Sequence, residues 1–269
     1  METITIIDSD SNQFICRDVG SLEGFEYPTT RLSIEDLAGD RSAVYVASKA
    51  GRRPLSWQGL LDTDFMEKRR DLQLVLRPDS VKTIKFTTCD GLALQAEVAI
   101  EKLLMPYRAG RSMYLIEAVS ADWRFYSQTL HEFETGQTVI TGGFGIPAEI
   151  PLDMSGGSYV LDNDILNAGT DTSYPTFTIT GPGSTFTIGN QTTGGEMVIT
   201  YTLTASDTIV IDVISRTIVL NGITNIYSSL TTGDFWGLQP GANTIRFVVV
   251  GLGVETLLNL VYRDAYMGI

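Results

Sequence analysis

Apolar and polar positions along this chain alternate with a period of two far more often than they recur at helical spacing, which predicts a mainly β protein. In the first half, ITII (4–7), AVYVA (43–47) and PLSWQG (54–59) read as short strands between polar turns. One stretch breaks the rule. In LLDTDFMEKRRDLQLVLRP, Leu61, Phe65, Leu72 and Leu76 recur near helical spacing, Asp64 and Glu67 stand at capping-box separation, and Pro78 follows as a stop. The pattern predicts one amphipathic helix over 64–76, with Arg77 at its negative end.

After the helix, VKTIKFTTCDGLALQAEVAI alternates through Ile84, Phe86 and Thr88, turns at Asp90-Gly91, and alternates back through Leu92, Leu94, Ala96 and Val98. It reads as a hairpin. SMYLIEAVSADWRFY (112–126) adds a strand that ends in an aromatic cluster. Between Phe125 and Thr138 the style changes: charges thin out, Gly and Thr become frequent, and helical periodicity does not return. The remaining segments are short alternating strands cut by Gly, Pro and Asn, which implies two packed antiparallel sheets. The clearest pair is TIVIDVISRTIVLNG, in which Ile209 and Ile211 are matched by Ile218 and Leu220 across a short turn. A division into domains 1–132 and 133–269 follows.

Composition sharpens this picture. With 43% hydrophobic residues among 269, the chain supports packed interiors. Nineteen basic against 32 acidic side chains give a net charge of −13, the wrong sign for a nucleic-acid binder. Residues 1–130 hold 16 of the basic side chains; the rest of the chain has Arg216, Arg246 and Arg263 against 13 acids. Self-association is therefore expected of the first half, not of the acidic second half. Cys16 and Cys89 are too few and too dispersed for a disulfide framework and are expected reduced and partly buried. The first twenty residues lack a signal-peptide pattern, and no apolar run reaches 18 residues, so a chain made in a cytoplasm and without membrane insertion is expected.

Candidate chemistry is sparse. His131 is the sole histidine, which removes the usual zinc sites, and no GxSxG motif occurs. TGGFG (141–145) and GPG (181–183) lack the strand-and-helix context of a nucleotide loop and read as turns. Asp162, Asn163, Asp164 and Asn167 gather oxygen ligands, but without EF-hand spacing; a solvated loop is expected there, not a calcium site. Asp212 is an acid in an apolar strand, and alternation places it opposite Ile211 and Val213, where turn amides or water satisfy it. Trp236, Tyr227 and Asp234 admit two readings: the floor and rim of a sugar site, or a local plug in which Phe235, Trp236 and Leu238 close the sandwich and Asn243 bonds backbone in the Pro240-Gly241 turn. No catalytic residues, cofactor or metal are expected, and the chain is read as no enzyme.

Several of these segments resemble siphophage distal tail proteins. GDFWGLQPGANTIRF (233–247) is similar to that family's L-x-PG-x-N-x-I element, and DTIVIDVISRTIVLNG (207–222) to its D-x-L-x-I-D-x-x-x-R-x-V-x-x-NG segment. YPTFTITGPG, GRRPLSWQG, FTTCDG and EAVSADWRFY extend the resemblance over about residues 20–265; where many members carry a proline after the aspartate of the last segment, this chain has Trp123. The resemblance implies a virion protein at the distal end of the tail, assembled in the host cytoplasm as a homo-oligomeric, six-membered ring that joins the tail tube protein to tail-tip hub or adhesion proteins. It implies a ring-forming β-barrel or sandwich-like N-terminal domain with one helix and a galectin-like C-terminal sandwich. Candidate subunit contacts are the helix charges Glu67, Arg69, Arg70 and Asp71. The alternative function is a carbohydrate-binding module for host-surface recognition, using Tyr227, Asp234 and Trp236.

Overall fold

The computed structural model describes residues 3–17, 19–26, 30–36, 43–61, 65–78, 80–108, 111–136, 158–251 and 256–268. It is mainly β, with several antiparallel sheets and one α-helix among the described residues. The chain divides into two compact units, one of Met1–Thr129 with Ala265–Ile269, the other of Leu130–Asp264. A single cut at 132/133 misses the return of the last five residues to the first unit.

The first unit opens with β1 (Thr3–Ile7), β2 (Gln13–Arg17), β3 (Ser21–Glu23), β4 (Thr30–Asp36), β5 (Ala43–Ala50) and β6 (Arg53–Leu61). After α1 (Phe65–Val75) come β7 (Lys82–Thr87), β8 (Ala93–Leu104), β9 (Tyr107–Arg108), β10 (Arg111–Ser120) and β11 (Phe125–Ser127). The main sheet runs β2-β1-β7-β8-β10-β6-β3, while β4 and β5 form a two-stranded sheet of their own. Alternation is the cause. In β1, Ile4 and Ile6 are buried, and in β7, Ile84 and Phe86 follow them across the ladder as direct partners. The expected hairpin forms, with Gly91 at φ +88° in its turn. Phe25, Trp57, Phe86 and Phe125 fill the centre; Phe86 and Phe125 meet edge to face at 5.0 Å. Each such ring pair adds about 0.5–1.5 kcal/mol beyond its burial.

Helix α1 buries Leu72 and Val75, with Leu76 just past its end and Leu61 at the end of β6. Asp64 and the side chain of Phe65 lie outside the described residues, so the capping box does too. Cys16 is buried, but Cys89 is exposed in the hairpin turn, which corrects the expectation of two partly buried thiols; both are free. Burial pushes the Cys16 thiol up to about 11.

The second unit is a two-sheet sandwich. One sheet comprises β12 (His131–Gly136), β14 (Thr176–Thr180), β17 (Thr208–Asp212), β18 (Thr217–Leu220), β19 (Thr224–Asn225) and β22 (Leu257–Tyr262), in the order β12-β22-β14-β17-β18-β19. The other comprises β13 (Ser158–Asn167), β15 (Gly183–Asn190), β16 (Gly195–Leu203), β20 (Leu230–Gly233) and β21 (Gly241–Val250), in the order β13-β21-β15-β16-β20. The expected pair of strands forms, with Ile209 opposite Leu220 and Ile211 opposite Ile218. The last strand, β23 (Ala265–Tyr266), belongs to the first unit and pairs with β11.

The expected loop at 161–169 is a correction. Residues 158–167 are a ten-residue strand paired along its length with β21, and Asp162 and Asp164 point outward from it. Arg246 donates twice to Asp162, at 2.7 Å each, and Thr244 donates to Asp164 at 2.7 Å. Cross-strand partners convert loop-like composition into strand. The GPG expectation holds in that Gly181, at φ +99°, turns the chain between β14 and β15, and 141–145 lie outside the described residues.

Candidate functional site

The residues that carry the sequence pattern of the second half are turn-makers. Asp207 accepts from the Thr204 amide at 2.9 Å, the Thr204 hydroxyl at 2.7 Å and Asn221 Nδ2 at 2.9 Å. Asn221 Oδ1 in turn accepts from the Thr208 amide at 2.9 Å, tying two turns together. These bonds, Asn221's foremost, hold the Asp207 carboxyl down at about 2. Asp212 Oδ1 accepts from the amides of Ile214 and Ser215 at 2.9 and 3.1 Å, so turn amides satisfy it as expected. Arg216 and Asn221, at φ +53° and +51°, occupy the left-handed region that reverses the chain, followed by Gly222 at +70°.

The 233–247 stretch works the same way. Trp236 is 7% exposed, packs on Phe177 at 5.2 Å and donates from its indole to the Ile188 carbonyl at 3.2 Å. Phe235 and Leu238 are buried beside it in the same core. Asn243 accepts from the Gln239 amide at 3.0 Å and donates to the Gln239 and Gly241 carbonyls. The local plug is the arrangement present. Of the three sugar-site candidates, Tyr227 is half exposed and stacks on Phe235 at 6.1 Å, and Asp234 is exposed with Arg216 3.8 Å away. Trp236, buried, offers no stacking face.

His131 is held in the same manner. Its Nε2 lies 2.9 Å from buried Asp264 Oδ2, its ring stacks on Tyr262 at 4.9 Å, and Asp264 Oδ1 accepts from the Ala168 amide. Around it, no group of three His, Cys, Asp or Glu suited to a metal occurs among the described residues.

In the first unit, Glu67, Arg70 and Asp71 are exposed on α1 and Arg69 is half-buried. Beside the helix lies a cleft of about 530 Å³ whose walls are α1, β2 and the end of β6. Asp71 and Lys68 reach it; Glu67, Arg69 and Arg70 do not line it. Sequence reasoning missed its apolar members. Ile15, Leu60 and Leu74 line the cleft at 49%, 42% and 43% exposure, and Met113, the direct partner of Leu60, is 43% exposed. The signal was legible: Ile15 and Leu60 are apolar residues on the polar parity of their strands.

The turn at EAVSADWRFY shows how this chain manages without the proline. Asp122 Oδ1 accepts from the Arg124 amide at 3.1 Å, an Asx turn, while the Arg124 guanidinium covers Trp123 at 4.4 Å.

Residues 168–266 match the family described as the siphovirus-type tail component, C-terminal domain. Among solved structures, the Dit protein of phage SPP1, described as a paradigm of the hub adsorption apparatus in phages infecting Gram-positive hosts, superposes with a TM-score of 0.66 at 13% identity. The match covers 97% of this chain and 98% of that one. The phage p2 baseplate in its activated conformation, with calcium or with strontium, matches over the same shares at TM-scores of 0.51 and 0.50 and 11% identity. These likenesses show the fold over nearly the whole chain. No curated protein sequence matches it. The match over residues 168–266 agrees with the resemblance expected of the second half.

Proposed function

We propose that this chain, a member of the siphovirus-type tail component family through residues 168–266, is a structural component of a phage tail tip that closes into a ring, six-membered by expectation, between the tail tube and the host-adsorption apparatus. The carrying observation is that the fold likeness to an adsorption-apparatus hub protein spans both units, covering 97% of the chain. The first unit would act as the ring-forming barrel-like domain and the second as a galectin-like sandwich facing outward. Assembly occurs in the host cytoplasm, the partners are the tube protein and the tail-tip hub or adhesion proteins, and no chemistry is catalysed.

The site geometry supports a scaffold. The residues that make the motifs recognisable, Asp207, Asp212, Asn221 and Asn243, spend their polar atoms on backbone and on one another. The charge distribution supports assembly through the first unit, because copies of the acidic second unit repel. Light scattering at micromolar concentration should give the mass of a closed multiple of the chain, with rings in negative-stain images. A strict monomer at high concentration, without rings, would overturn the reading.

A further inference from the structure

Asn221-Gly222 is the sole Asn-Gly step in the chain, and it lies in an exposed turn between β18 and β19. Such a step can react with itself. The glycine nitrogen, giving its proton to water, bonds to the asparagine Cγ; the Cγ–Nδ2 bond breaks, and that nitrogen leaves as ammonia with a proton from water. Water then opens the resulting cyclic imide at either carbonyl, leaving aspartate or isoaspartate. Glycine eases the attack because it has no side chain to crowd its nitrogen. Here a Cβ on Gly222 would meet nothing within 4 Å, so the surroundings give no cover either.

The fold holds this step away from its chemistry in two ways. The first is the backbone. Asn221 and Gly222, at φ +51° and +70°, are the two central residues of a turn that Ile223 N closes onto Leu220 O at 3.1 Å. In the left-handed region ψ is about +30 to +60°, which swings the next amide nitrogen to the far side of Cα from Cβ. Closing the imide ring needs that nitrogen beside Cβ, so Asn221 must leave its turn conformation to react. The second is the side chain. Its Nδ2 donates to Asp207 Oδ1 and its Oδ1 accepts from the Thr208 amide, both at 2.9 Å, while the Asn221 amide donates to the Thr208 carbonyl at 2.8 Å. Both polar ends of the carboxamide are tied to a neighbouring turn, where Asp207 is itself seated by the Thr204 amide and hydroxyl. The Asp207 carboxyl, held at about 2 by these bonds, carries no proton at neutral pH to give the departing nitrogen.

We infer that Asn221 is a deamidation site that the folded turn keeps unreactive, and that Asp207 is the residue that guards it. The site reacts in copies whose turn has opened, and the product cannot go back. Aspartate at position 221 sets a second carboxylate where Nδ2 now meets Asp207, and like charges at that spacing repel. Isoaspartate adds a backbone carbon to the turn that sets the register of β18 on β19. Either product hinders reclosure, so deamidation permanently marks copies in which this end of the sandwich has come loose. The inference stands apart from the ring reading and concerns how long the second unit stays intact.

The test is peptide mapping by mass spectrometry on the full chain, incubated at mildly alkaline pH both folded and in urea. Asn221 should persist in the folded protein roughly tenfold longer than in urea, or more, because the open turn is a minor state. Asp207→Ala, shown to be folded by circular dichroism, should speed the loss of Asn221 in the folded protein roughly tenfold, the equivalent of about 1.4 kcal/mol in opening the turn. Equal rates in the folded and unfolded parent would overturn the protection, and Asp207→Ala no faster than the parent would overturn the guard. Should Asp207→Ala fail to fold, Thr204→Val removes only the hydroxyl bond that seats Asp207, and a rise of about threefold is expected; no rise would overturn the guard equally. Independently, Asn221→Asp, the product made genetically, should melt below the parent at neutral pH. The gap should narrow as pH falls through the carboxylate range, since protonation gives the new carboxyl a donor for Asp207 Oδ1. Equal melting at neutral pH would contradict the repulsion that keeps the turn from reclosing.

Discussion

Arg53, buried on β6, donates its guanidinium Nη2 to the carbonyl of Met267, 214 residues further along the chain. The same guanidinium lies 4.3 Å from the centre of the Phe125 ring, and burial draws its pKa down to about 10, which leaves it charged at neutral pH. Next to it, β23 pairs Tyr266 with Phe125 and Ala265 with Tyr126. The last residues are thus a working part of the first unit.

A fragment ending at Leu130 should accordingly be deficient. Losing the burial of Ala265 and Tyr266 and the partner of Arg53 should cost on the order of 3 kcal/mol. Joining residues 265–269 back through a short linker should restore a melting temperature higher by roughly 10 °C. Identical melts for the two fragments would refute this role.

Trp236→Ala should destabilise the second unit by about 3–5 kcal/mol, since it empties a core position and removes the indole's bond to the Ile188 carbonyl. Tyr227→Ala, at a half-exposed position, should cost about 1 kcal/mol or less. Thermal unfolding of the full chain resolves the two values. A near-neutral Trp236→Ala would revive its reading as a sugar platform.

How far the sequence reached is visible in single residues. Ile209, Ile211, Ile218 and Leu220 were legible as one paired face because burial of one face fixes a period of two. Asp212 and Asn243 were readable as turn residues because short polar side chains bond nearby backbone. Asp162 and Asp164 misled, since their composition suggests a loop and their strand depends on Arg246 and Thr244, some 80 residues away. β23 was illegible because two residues carry no period, and its placement comes from Phe125 and Arg53. The sequence favours a plug at Trp236 over a sugar floor, and the burial of the indole agrees with it.

Stability should respond to acid through Asp207. Its folded pKa, about 2, lies below the unfolded value of about 3.9, so its contribution is complete above the unfolded value and is lost as pH falls through about 2. Asp207→Asn keeps one acceptor oxygen and turns the other into a donor, so it loses either the Thr204 bonds or the Asn221 bond and should lower the melting temperature at pH 6. The gap to the parent protein should narrow as pH falls from 4 towards 2. A gap independent of pH would show that ionisation of Asp207 plays no part.

Thiol reactivity should separate the two cysteines. Exposed Cys89 should react with a maleimide in the native protein within minutes, while Cys16, buried with its thiol held near 11, should react only after unfolding. Mass spectrometry of the labelled peptides gives the answer directly, and equal labelling of both in the native state would contradict the burial of Cys16.

The central claim, a structural role at the tail tip, is tested most directly by imaging intact particles labelled with gold-conjugated antibody against this chain. The label should sit at the end of the tail opposite the capsid. Label along the tube or on the capsid, or particles that carry none, would contradict it.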